Sequence, residues 1–184
     1  MRKIEWGAIT YEPVGMATRF VHEGANSVAS SCRERNAPMK QSKRFRKALR
    51  GLEGMIVWVH DVAPDAAADG LSRQHLQDAV VVRLLDSGIK ALGIGNVPEP
   101  PGNPWLNIFV STIKSENHYF YFITVRLDEV VRPDRNKTFR TIGTTWETSS
   151  SGVILEERLS FAVENTVDDL IDCFIYDFHL ENPR

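Results

Sequence analysis

From Trp105 to Val131 the chain alternates as an extended strand pair does. Tyr119, Tyr121, Ile123, Val125 and Leu127 recur at period two, which turns all five to one side of a pleated strand. The opposite side opens apolar with Phe120 and Phe122, then becomes polar at Thr124, Arg126 and Asp128. The pattern predicts a first strand over Trp105–Ile113, a polar turn at Lys114–Asn117 and a second strand over His118–Val131. Asn117 suits such a turn because asparagine tolerates the left-handed conformation. At about 3.3 Å per residue the second strand runs roughly 45 Å, long for a globular domain.

The rest of the chain supplies elements to flank this hairpin. Met55–Val62 reads as a strand with apolar residues on both sides, Ile56, Trp58 and His60 against Val57 and Val59, which suits a central position. Pro64 and Asp65 end it. Residues 71–88 form the clearest helix. Ser72 is its N-cap, Leu71 and Leu76 make a hydrophobic staple, and Gly88 closes it in the left-handed region. Its expected stripe is Leu76, Ala79, Val80 and Leu84, with Val81 and Leu85 beside it. Ile89–Ile94 reads as a short strand, and the four prolines of GNVPEPPGNP mark a loop.

Beyond the hairpin, Thr138–Thr148 has strand composition, with a bulge expected at Gly143 and a stop at Ser149–Gly152. Leu155–Leu180 reads as a final helix whose apolar face includes Leu159, Val163, Val167, Leu170, Ile171, Phe174, Ile175 and Phe178. The order β-α-β-β-β-β-α predicts an α+β fold, a two-layer sandwich: a mainly antiparallel sheet of about four to five strands with two helices on one face.

Charge divides the chain. Residues 1–50 carry eleven Lys and Arg against four Glu, while residues 51–184 carry eleven basic and twenty acidic residues. This predicts a basic, weakly patterned arm over 1–50 and a domain over 51–184, with a short amphipathic helix at 40–53. Lys40, Lys43, Arg44, Arg46, Lys47 and Arg50 form a candidate anion-binding cluster for nucleic acid or anionic lipid. A solvated basic segment is the commoner meaning of such a run. Cys32 and Cys173 make at most one pair, and Cys173, between Ile171 and Phe174, reads as an inert buried thiol. No stretch approaches a membrane span. No secretory signal opens the chain, so the expected location as written is cytoplasmic.

The segments LSRQHLQDAVVVRLLDSGIKAL, NPWLNIFVSTI, Tyr119–Leu127, Thr144–Trp146 and DDLIDCFIYDFHLENP together resemble a family of small bacterial proteins over about residues 51–183. The shared order is a helix, an aGI step, a proline loop, a P-x-L strand, TTW and an F-x-x-x-NP ending. The order is more distantly similar to the envelope domains of the TolB amino-terminal and LptE kind. The resemblance implies the α+β fold, carries no activity, and implies a periplasmic location if residues 1–50 are not the true start.

No catalytic set emerges. His60-Asp61 ends a strand without a third group at a known spacing, and the five histidines form no zinc pattern. Gly93-Ile94-Gly95 runs into prolines instead of a helix, so it is no phosphate loop. Glu164, Asp168, Asp169 and Asp172 fit the solvated side of the last helix. Trp146 reads as core packing or an edge anchor. Trp105, Phe120 and Phe122 are the candidate interaction patch, on the sheet side opposite the alternating core positions. The expectation is a non-enzymatic interaction or structural domain without cofactor or metal, docking a protein partner or a second copy. The alternatives are an apolar small molecule held between helices and sheet, and polyanion binding through the arm.

Overall fold

The computed structural model describes residues 46–92 and 104–183. The expectations for residues 1–45 and for the proline loop, including Lys40, Lys43, Arg44, Cys32 and Gly93-Ile94-Gly95, lie outside the described residues. The strands are β1 (Met55–Val59), β2 (Ala91–Leu92), β3 (Trp105–Ser115), β4 (His118–Val131) and β5 (Thr141–Leu155). The helices are α1 (Pro64–Ala68), α2 (Arg73–Asp86) and α3 (Leu159–Glu181), the last entered through a 3-10 turn at Glu156–Arg158. One five-stranded sheet forms in the order β2-β1-β3-β4-β5. β1 runs parallel to β2 and β3, and β3, β4 and β5 are antiparallel neighbours. The fold is the α+β sandwich that the hydrophobic pattern predicts.

The core lies between one sheet face and the helices. Tyr119, Ile123, Val125 and Leu127 are fully buried, with Val57, Val59, Leu106 and Ile108 in neighbouring strands. From above, α2 contributes Leu76, Val80 and Leu84, and α3 contributes Leu159, Val163, Val167, Leu170, Ile171 and Phe174. Ala79 and Leu85 stay exposed, so the buried stripe of α2 is narrower than its sequence suggests. Its ends follow the expected chemistry. Ser72 Oγ accepts from the amide of His75 at 3.2 Å. Gly88, at φ 79°, donates to Leu85, and Ile89 donates to Leu84, the paired bonds of a Schellman ending. Arg83 Nε and Nη2 donate to both oxygens of Asp172 at 2.7 and 2.6 Å and join α2 to α3. Asp172 thus faces α2, not open solvent, and its carboxylate raises the Arg83 guanidinium above its ordinary range.

Three boundaries differ from expectation. α1 begins at Pro64, which opens a helical turn after β1 instead of only ending the strand. The hairpin turn shrinks to Glu116-Asn117, and Glu116, not Asn117, takes the left-handed φ of 53°. β5 runs through Ser149–Gly152 to Leu155, because the whole length of β4 lies beside it as a hydrogen-bonding partner. Pairing outweighs the weak strand preference of serine and glycine. The bulge falls at Thr145, between the pairs Leu127–Trp146 and Asp128–Thr144, not at Gly143. A side chain at Gly143 would meet Val131 at 2.7 Å, so close packing against β4 accounts for that glycine.

Trp146 closes the core near the edge strand. It stacks edge-to-face on Phe174 at 5.0 Å, and its indole N–H donates to Asp177 at 3.0 Å. Burial pushes the Asp177 carboxyl above its usual range, against the pull of that indole bond.

Candidate functional site

Because strand side chains alternate, the residues between the core positions share the sheet's second face. No helix covers this face among the described residues. The register sets rows across it: Trp58, Asn107, Arg126 and Glu147 in one, and Ile113, Phe120 and Val153 in another.

Near the β1 end the face is polar and internally bonded. Asp128 is buried and accepts three hydrogen bonds, from Asn107 Nδ2 at 2.8 Å, Arg126 Nε at 2.9 Å and Thr144 Oγ1 at 2.6 Å. The arrangement braces β3, β4 and β5. Asn107 Oδ1 lies 3.2 Å from His60 Nε2. His60 stacks on Phe109 with ring centres 3.8 Å apart, and the Arg126 guanidinium lies 4.4 Å from the Phe109 centre. Arg73 lies over Trp58 at 4.6 Å. The geometry makes His60 part of a packed ladder across β1, β3 and β4.

Asp61 does not join it. It is 95 % exposed at its side chain and, among the described residues, reaches Arg73 at 3.5 Å. The His60-Asp61 pair therefore does not converge on one cleft. Among the described residues no three His, Cys, Asp or Glu side chains are placed to hold a metal ion.

At the hairpin end the same face is apolar and open. Phe120 and Phe122 are each 50 % exposed, and the row partners of Phe120 are Ile113 at 70 % and Val153 at 57 %. Trp105 shares the face but pairs with Asp128, eight residues along β4 from Phe120, or about 26 Å away. It is half-buried and lies outside the patch. The patch that forms is Phe120, Phe122, Ile113 and Val153. Ile113 was legible by alternation from Phe109, whereas Val153 was hidden behind the Ser149–Gly152 run expected to stop the strand.

The opposite side of the hairpin end is polar. Tyr119 Oη donates to Asp69 Oδ2 at 2.5 Å, and Lys114 Nζ donates to the same oxygen at 2.6 Å and lies 3.0 Å from Glu156. The Lys114 bond, then the Tyr119 bond, lowers the Asp69 carboxyl below its ordinary value. Burial and the Asp69 bond push the Tyr119 hydroxyl up to about 12. These contacts fasten the hairpin to α1 and to the start of α3.

The basic cluster is partly committed. Arg46 Nε bonds Glu181 at 2.9 Å, and Arg50 lies 3.6 Å from the same carboxylate. Lys47 is exposed. Leu49 is fully buried, and Asn182 ties this segment to α3 through the Gly51 amide and the Leu49 carbonyl. Cys173 is half-exposed and disulfide-bonded, which corrects the expected inert buried thiol. No helix among the described residues is long and apolar enough to cross a membrane. No protein-family profile matches the chain, and no curated protein matches it in sequence.

Proposed function

We propose that the protein is a non-enzymatic interaction domain that docks a protein partner on the helix-free face of its sheet. The observation that carries this reading is the half-exposed pair Phe120 and Phe122, in line with exposed Ile113 and Val153. A contiguous apolar patch on an otherwise well-packed domain is characteristic of a contact surface. Charge favours a neutral, apolar partner surface. The acidic side chains of α3 pair with α2 or lie on the helical side, including Glu164 with His75 and Asp168 and Asp172 with Arg83. On the sheet face Asp128 pairs with Arg126, which leaves Glu147 as the exposed acidic side chain of β5. The His60 ladder and the Asp128 brace support a structural role for the polar groups there.

The test is site-directed photocrosslinking in cells that make the protein. A photoreactive residue placed at Phe120 or Phe122 should give a discrete protein adduct. The same residue at Val82, exposed on α2, should give none. Equal labelling at both places, or none at the sheet face, overturns the reading.

A further inference from the structure

We infer that a second copy of the chain extends this sheet, joined by antiparallel pairing of β5 with β5 about a two-fold axis near Thr148. The inference goes beyond the docking reading above, because edge pairing sets the second copy beside the sheet and leaves the Phe120 face open. Among the described residues β5 pairs only with β4, so its outer row of backbone donors and acceptors faces away from the sheet. The strand is 15 residues long, about 50 Å, well beyond the usual edge. It contains no proline or lysine, and its single charge is Glu147. Natural edge strands normally carry such charges or prolines to prevent pairing.

The distribution of side chains selects an antiparallel copy. β5 is apolar at both ends, with Ile142 exposed at one and Val153 and Leu155 exposed at the other, and it is Ser- and Thr-rich between. A two-fold near Thr148 lays each apolar end beside the opposite apolar end of the second copy, and polar centre beside polar centre. It sets Glu147 across from Ser149 of the second copy, so the one charge does not face itself. Past the bulge at Thr145 the register steps by one. That step sets Val153 opposite Ile142 of the second copy, both on the helix-free face. The two-fold is self-complementary and forms a continuous sheet, extending the Phe120 patch of each copy across the new seam.

The experiment is sedimentation velocity with light scattering on the full chain and two variants at one half-buried position of β5, Ser149. The wild type should show a concentration-dependent mass of twice the chain. S149E sets like charges across the seam twice and should weaken the dimer about tenfold, whereas S149K sets opposite charges there and should hold or tighten it. Thermal melts of dilute S149E and S149K should match, which excludes misfolding as the cause. Equal effects of the two variants overturn the inference. So does a wild type that stays monomeric, including one whose β5 amides lose hydrogen-exchange protection when residues 1–39 are removed, since that arm would then occupy the edge. A Phe120 adduct with a different protein, alongside a monomeric wild type, leaves the docking reading standing and removes only the second copy.

Discussion

Glu116 carries φ 53° in a two-residue turn, a conformation that L-residues with a Cβ adopt at a cost of about 1–2 kcal/mol. Glycine relieves this, less roughly 0.5–1 kcal/mol of extra chain entropy. E116G should therefore stabilise the protein by up to about 1 kcal/mol, read as a higher urea midpoint with an unchanged slope. Gly152 acts in the opposite sense. A Cβ there would stand 2.5 Å from the Tyr121 hydroxyl oxygen and 2.6 Å from its ring carbon. G152A should displace that ring, loosen its 3.3 Å contact with Thr166, and cost about 1–2 kcal/mol. In a Y121A background the extra cost should vanish, which a double-mutant cycle measures directly. Neither position was legible in the sequence. Asn117 supplied the stronger turn signal although its neighbour takes the strained angle, and Gly152 answers to a tyrosine thirty-one residues away.

At the scale of elements, legibility followed local chemistry. α2 was readable because its cap, staple and Schellman glycine are all written within its own segment. The core face of β4 was readable because alternation over nine residues has no helical equivalent. The second half of β5 was not, since serine and glycine become a strand only when β4 lies alongside. α3 depends most on burial. F174A should cost roughly 3–5 kcal/mol in chemical denaturation, because Phe174 is fully buried against Trp146.

The fastening of hairpin to α1 should appear in alkali. Tyr119 is raised from 10 to about 12, so its stabilising effect is complete below pH 10 and is lost as pH rises through 12. Y119F should show a shallower stability loss than wild type between those values. The Asp69 contribution has the opposite sense. Its lowered carboxyl stabilises above its ordinary value of 3.8 and fails as acid protonates it.

Across the whole molecule, the two sheet faces divide the labour: one holds the core and the other presents the patch. F120S/F122S should leave the melting temperature nearly unchanged, since half-exposed side chains outside the core shift stability by about 0.5 kcal/mol each. The same variant should lose the photocrosslinked adduct formed from Ile113, a position that remains available for labelling. Alternation put Phe120 and Phe122 on the open face, where both stand half-exposed, while Trp105 belongs to the far end of the same face. The sheet's two borders are also unequal. Among the described residues β2 spans two and β5 spans fifteen. On the described residues, growth by strand addition is one-sided: once two long borders have met, the two-residue strands left outermost offer too little ladder to recruit a third chain. Assembly would stop at a pair instead of propagating into a fibre.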